Sequence, residues 1–439
     1  VCDDGGNGTE GDPLCEIPVG LIAGSVVEIH GGSYNSANYA DKLYAQGTGT
    51  AAMPIFVRGV GGPLFTRTIY VLGEYIILED ISTYDAGVSF RDPNDGYVHH
   101  LSVRNCEIEG DGTTSGGAGV SMGYNQHDNI VVYNNHIHHN GNYSYTGEND
   151  RHGTGSGRNA SYIWIVDNHI HHNGGDAFQG GHSAPDGSIH HVYIGRNEMH
   201  DDGENAVDIK NIEDIVVSQN VMHNYNQLDN PSADGTITVA HYGGTAAGPN
   251  RVWFLYNEMY NAERRAGAVS NCRDDLYYIG NIVYDVGEEA FATWSSRDVS
   301  FVGNTMYNVG GGIDSSGSSY VAMIVNNIFG SLNSPGVIPH ITLADSSYAN
   351  NAIVSNNLFQ DSMDSNVACI NCSNDDPLFV DAVNGDFRLQ AGGPAIDMGI
   401  VSDVYQTFYD LYGINISVDY EGNERPQSSE WDIGAYEYS

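Results

Sequence analysis

Lysine is almost missing from this chain: of 439 residues only Lys42 and Lys210 carry it, against a formal net charge of -40. A charge of that sign and size excludes non-specific nucleic-acid binding and favours solubility. It also means that an anionic ligand needs local cations, which gives weight to Lys210 and to the placement of the arginines. No run of 18 apolar residues occurs, so no membrane span is expected. No signal peptide is read either, and the start at Val1 is expected of a chain already processed or trimmed. Helical periodicity is absent from the middle of the chain, which excludes helical-repeat folds.

What is present is a repeat. Cys106, Asn135, Asn168, Asn197, Asn220, Asn257, Asn281, Asn304, Asn327 and Asn357 are each followed two residues later by a bulky apolar residue, such as Ile137, Met199 or Phe329. The spacing tightens to 24, 23 and 23 residues between Asn257, Asn281, Asn304 and Asn327. A period of that length is the signature of a solenoid. Short strands such as Tyr162–Val166, several per period, point to an all-β, right-handed parallel β-helix. A leucine-rich horseshoe would need a Leu-x-x-Leu-x-Leu pattern that is absent.

The expected organisation is a leader and cap over 1–25, a helix domain over 26–375 and a C-terminal capping tail over 376–439. The tail (Gly393-Pro394-Ala395-Ile396-Asp397 and Asp432-Ile433-Gly434-Ala435-Tyr436) resembles that of secreted bacterial β-helix proteins. An open solenoid end must be covered, so it reads as a cap without chemistry.

The asparagine column reads as structural: Asn tolerates left-handed backbone at tight turns, and stacked amides bond from rung to rung. His138, His171, His200 and His223 fall three residues after it, and Tyr260, Tyr284 and Tyr307 continue the series, so an aromatic stack is expected rather than a metal site. Cys2 with Cys15, and Cys369 with Cys372, read as local disulfides, which suggests a secreted or periplasmic protein. A zinc site at Cys369 and Cys372 is the alternative. Cys106 and Cys272 read as free and buried.

Charge, histidine and long loops concentrate around 150–273. Alternation along a strand puts Asp208 and Lys210 outside when Val207 and Ile209 point in. With rungs about 4.8 Å apart, Asp150, Asp176, Asp201, Asp202, Glu204 and Asp234 form an acidic cluster beside Arg151, Lys210 and Arg265. Loops around Leu228–Ser232 and Tyr242–Pro249 could wall a groove. Arg265, Arg273, His241, Gln179, Tyr145 and Trp294 are the expected substrate contacts. The plain alternative makes Asp201, Asp202 and Glu204 turn residues, with Lys210 paired to Asp208 or Glu213 on a solvated face.

The segments Asn173-Gly174-Gly175-Asp176-Ala177-Phe178-Gln179 and Asp201-Asp202-Gly203-Glu204-Asn205-Ala206-Val207-Asp208-Ile209-Lys210 resemble family 9 pectate lyases. That resemblance implies calcium held by aspartates of adjacent rungs, here Asp176, Asp201, Asp202 and Glu204, with a lysine base. In that family the base lies further downstream than Lys210. Gly31-Gly32-Ser33-Tyr34, Gly59-Val60-Gly61-Gly62-Pro63 and Val103-Arg104-Asn105-Cys106-Glu107-Ile108 look like family 6 alginate and chondroitin lyases, whose lysine motif is not reproduced around Lys210.

The expectation is a monomeric enzyme that cleaves an anionic polysaccharide by β-elimination. Lys210 is the base, its pKa lowered by arginine neighbours, Arg151 or Arg265 the charge neutraliser, and His152 or His241 the proton donor. A glycoside hydrolase using Asp176, Asp201, Asp202, Glu204 and Asp208 as paired carboxylates is the second expectation, and a sulfated fucan would suit it. A non-catalytic carbohydrate-binding solenoid is the third.

Overall fold

The computed structural model describes residues 7–34, 43–90, 96–110, 117–123, 126–143, 149–182, 184–226, 234–241, 248–315, 318–333, 339–344, 351–361, 363, 365 and 367–439. Tyr145, Cys2, Leu228–Ser232 and most of Tyr242–Pro249 lie outside them. The described residues up to Glu213 form one compact unit and those from Asp214 onward a second. Each is a parallel β-helix, the fold expected from the repeat.

In the first unit every full rung supplies three strands, one to each of three parallel sheets. Val98–Arg104, His127–Tyr133, Ala160–Val166 and Ile189–Gly195 stack in the first sheet. Glu107–Glu109, His136–His138, His169–His171 and Glu198–His200 stack in the second. Gly117–Ser121, Arg151–Ser156, Phe178–Gly180 and Val207–Ile209 stack in the third. Parallel neighbours joined by such crossovers follow the right-handed rule. Like residues align in register, as Ile130 with Ile163 and Val192, and Ile137 with Ile170 and Met199, and all six are buried. Burying each such side chain contributes roughly 1.5–3 kcal/mol, so the column of aliphatics is the main stabilising element.

The asparagine column is a buried amide ladder. In the first unit Asn135 Nδ2 donates to Asn168 Oδ1 at 3.0 Å, and Asn168 Nδ2 to Asn197 Oδ1 at 2.9 Å. In the second unit Asn220, Asn257, Asn281, Asn304, Asn327 and Asn357 continue in the same way at 2.9–3.0 Å. Half of the expected reason needs correcting. The left-handed residue is the one before the ladder position (Asn134, Asp167, Arg196, Tyr256, Asn326), while the ladder asparagines themselves are not among the positive-φ residues. The preceding residue turns the chain, and the asparagine then satisfies backbone groups that the corner leaves unpaired.

A second ladder, not anticipated, lies five residues further on. Asn140 Nδ2 donates to Asn173 Oδ1 at 2.9 Å, and Asn173 Nδ2 to Asp202 Oδ1 at 2.8 Å. It has the same grammar, since His139, His172 and Asp201 before it all have φ of 54°.

In the second unit the tail lies against the flank of the rungs. The helix Asp403–Tyr412, ended by left-handed Gly413 at φ 69°, packs Val404, Tyr405 and Phe408 on Trp253, Tyr277 and Val302. Tyr256 donates its hydroxyl to the Ile416 carbonyl, and Asn326 donates to that of Ile400 at 2.7 Å. Buried Arg425 pairs with Glu437 at 3.0 Å and fixes the last residues. Cys369 and Cys372 are disulfide-bonded, as is Cys15, and Cys106 and Cys272 are free and buried.

Candidate functional site

Phe178 and Val207 point into the first unit's core, which turns Gln179 and Asp208 to the outer side of the third sheet. The Gln179 amide bridges two rungs: its Nε2 lies 3.0 Å from Asp176 Oδ2 and 3.3 Å from Asp208 Oδ2. Asp208 Oδ2 in turn meets Lys210 Nζ at 2.6 Å. On the other side, Asp176 Oδ2 lies 3.2 Å from His152 Nδ1, and Asp176 Oδ1 accepts the Asn205 backbone N–H at 3.0 Å. His152, Asp176, Gln179, Asp208 and Lys210 are thus one continuous network, and Glu204 acts electrostatically on Lys210.

This wall is more closed than alternation alone predicts. Asp176 is 0 % exposed and Asp208 3 %, while Gln179 and Lys210 are the members that reach solvent. The rungs approach closely at the entry to the site, where a Cβ on Gly203 would lie 2.1 Å from the Gly174 carbonyl oxygen. Only glycine fits there.

The electrostatics correct one expectation. Burial works to lower the Lys210 pKa, but the Coulomb attraction and hydrogen bond of Asp208, with Asp176 and Glu204 behind them, hold it above the ordinary ammonium range. A lysine surrounded by carboxylates stays protonated, so the expected depressed base is not what this geometry makes of it. The Asp176 carboxyl moves the other way from an exposed one. Burial raises its pKa, His152 opposes that, and the nearby Asp208 charge adds to the rise.

The four residues expected to hold calcium separate into different networks. Asp202 accepts the backbone and side-chain N–H groups of Asn173 at 2.9 and 2.8 Å and is a rung of the second ladder. Asp201 turns to His200, with Oδ2 2.7 Å from Nδ1. Asp176 and Glu204 belong to the Lys210 side. Asp202 and Asp201 are thus tied to different neighbours from Asp176 and Glu204, and no step is routed through calcium.

The second unit holds its own charged group. Arg265 pairs with Glu288 at 2.6 Å and Glu289 at 2.8 Å, and its guanidinium lies 5.6 Å from the Trp294 ring centre. Arg264 bridges Asp234 and Glu288 at 3.0 and 3.1 Å. Arg265, expected to neutralise a substrate, is paired with two glutamates one rung away. His241 and Arg273 are partly buried in the same unit, and Arg151 opens its strand in the first unit, in register with Gly117.

The histidine column is a stack, as expected. His138, His171 and His200 follow one another at 5.3 and 4.9 Å in the first unit, and His223, Tyr260 and Tyr284 at 4.8 and 4.7 Å in the second. Burial first, then neighbouring imidazoles, push His171 down to about 2. Two further histidine columns went unread: His136 stacks on His169 at 5.0 Å, and His139 on His172 at 5.2 Å. The signal was present, because His136 and His169 follow the ladder asparagine by one residue, and His139 and His172 by four.

No family model and no curated protein matches this chain. Solved structures do. The mannuronan C-5 epimerase AlgE6 A-module of Azotobacter vinelandii matches with a TM-score of 0.52 and 13% identity, over 80% of this chain and 90% of that one. An alginate lyase from Paenibacillus sp. str. FPU-7 matches with a TM-score of 0.44 and 16% identity, over 66% and 91%. Pectate lyase Pel9A gives 0.46 and 14%, over 95% and 89%. At these identities the likeness is one of fold.

Proposed function

We propose that this chain cleaves a uronate-containing polysaccharide by β-elimination on the outer wall of its first unit. Lys210 acts as the cation and His152, backed by Asp176, as the proton-transfer group. The observation that carries the reading is the single network in which Gln179 ties the His152–Asp176 pair to the Asp208–Lys210 pair.

A lyase must neutralise the uronate carboxylate, take the C5 proton and protonate the leaving oxygen. The Lys210 ammonium, held protonated, serves the first need by favouring the charge that develops when C5–H breaks. In the resting structure His152 Nδ1 accepts the Asp176 backbone N–H at 3.0 Å. Base action needs the other tautomer, in which Nδ1 carries the proton and donates it to Asp176 Oδ2 at 3.2 Å. Nε2 is then left with a lone pair for the C5 proton. The C5–H pair becomes the C4=C5 bond, the C4–O bond breaks, and the imidazolium returns its proton to the departing oxygen. Atoms and charge balance without a further reactant. Export of such an enzyme agrees with the Cys369–Cys372 disulfide.

One observation favours hydrolysis as a second reading. The Asp176 carboxyl is pushed up by burial while Asp208 is ion-paired, and two carboxyl groups in unlike environments are what an acid and base pair needs. Its weakness is access, since Asp176 has no exposed surface. Incubation with alginate, pectate, chondroitin and a sulfated fucan, with and without chelator, decides. Products absorbing near 230 nm support elimination, whereas new reducing ends without that absorbance support hydrolysis. Neither product from any of the four polymers would overturn both.

A further inference from the structure

The second sheet of the first unit carries a wall of imidazole that the proposed chemistry does not use. One column along it runs Glu107, His136, His169, Glu198, and the next runs His138, His171, His200. Across the two columns the rings meet edge to edge. His136 Nε2 lies 2.7 Å from His171 Nε2, and His169 Nε2 lies 2.8 Å from His200 Nε2.

One group spans the last two of these rungs. His169, Glu198 and His200 each bring one ligand atom within 4.8 Å of the others. Glu198 is exposed and both histidines are partly exposed, so an ion can reach them from solvent. The remaining ring nitrogen of His200, Nδ1, lies 2.7 Å from Asp201 Oδ2. A metal-ligating histidine almost always has its second nitrogen held by such a carboxylate, which fixes the tautomer and turns the other lone pair outward.

We propose that His169 Nε2, His200 Nε2 and the Glu198 carboxylate bind a divalent transition-metal ion, with Asp201 as the positioning residue for His200. Two imidazoles and a carboxylate suit copper, nickel and zinc and are a poor set for calcium or magnesium. With metal–nitrogen bonds near 2.0 Å, two ligands at a right angle stand about 2.8 Å apart, and two at a tetrahedral angle about 3.3 Å. Without metal the 2.8 Å spacing of the pair is that of a hydrogen bond between the two rings. An ion that replaces the shared proton can take either angle with a shift of about half an ångström or less. The acidic ends of the columns supply negative charge to the bound cation. This site is independent of the catalytic reading and stands or falls apart from it.

The test is a copper(II) titration of the full chain, made without a polyhistidine tag and followed by electron paramagnetic resonance. The expected result is one tight ion per chain with superhyperfine splitting from two nitrogens. Zinc should compete and a large excess of calcium should not. His200→Gln should weaken binding at least 100-fold and remove one nitrogen. Asp201→Asn should weaken binding about tenfold and keep both nitrogens, which a merely structural role would not do. His190→Gln/His191→Gln, outside the array, should change nothing. Equal affinity in wild type and in His169→Gln/His200→Gln would overturn the proposal. Should those variants fail to fold, anomalous scattering from copper-soaked wild-type crystals decides, with no peak between His169 and His200 counting against it.

Discussion

Lys210 Nζ lies 2.6 Å from Asp208 Oδ2, and neither side chain is more than 13% exposed. A half-closed pair of this kind is costly to break, because removing one partner leaves the other charge without its compensation. Asp208→Asn should therefore destabilise the first unit by about 3 kcal/mol, read as a lower denaturation midpoint. Lys210→Met should abolish product formation, whereas Lys210→Arg, which keeps the charge, should retain part of it. Equal activity in Lys210→Met and wild type would remove the cation from the mechanism.

His152 is the group through which protons are expected to move. His152→Asn should lower kcat by roughly 10²–10⁴ with a smaller effect on KM. Asp176→Asn should alter the pH profile of kcat, since it removes a carboxyl whose pKa burial raises. Initial rates at 230 nm between pH 5 and 9 supply both readings, and an unchanged profile in Asp176→Asn would show that the pair does not titrate with catalysis.

The repeat was fully legible because a ladder needs one amide per rung and leaves it at a fixed place in each period. The second ladder was equally periodic, yet its last rung is Asp202, and a carboxylate among Asp201, Glu204 and Asp208 reads as charge rather than as structure. Only the Asn173 N–H groups on its Oδ1 separate it from its neighbours. Lys210 was correctly placed on the outer face, but its protonation depends on Asp176, one rung away, and on Asp208 and Glu204. Sequence spacing brings those residues near and does not say which of them touch. Arg265 teaches the same lesson, since Glu288 and Glu289 lie about one period downstream and claim it.

The first ladder makes a stability prediction in the second unit. Asn281 Oδ1 accepts from the backbone and side chain of Asn257 at 3.0 Å each, and its Nδ2 donates to Phe254 O at 2.9 Å and Asn304 Oδ1 at 3.0 Å. Asn281→Ala leaves all four groups buried without this partner. At about 1–3 kcal/mol for a buried group left unsatisfied, with some relaxation, a total loss of about 3 kcal/mol is expected. Asn281→Asp should do nearly as badly, because its second oxygen would face Asn304 Oδ1 and the Phe254 carbonyl. Chemical denaturation of both variants checks the order, and a loss under 1 kcal/mol for Asn281→Ala would contradict the ladder's role.

The histidine stack predicts how acid acts on the fold. Burial and the neighbouring rings of His169, His200, His136 and His172 hold His171 at about 2 in the folded chain, against about 6.5 unfolded. Between those values the unfolded chain takes up a proton that the folded ring does not, so stability is present above about pH 6.5 and falls as the pH drops. His171→Tyr keeps a stacking ring, as Tyr260 and Tyr284 do in the second unit, and takes up no proton in this range. It also gives up the 2.7 Å contact with His136, which should make it about 1 kcal/mol less stable at pH 7. Urea midpoints at pH 7, 5.5 and 4 should show that deficit shrinking as acid is added. A deficit that stays constant or widens would mean that His171 is already free to protonate in the folded chain.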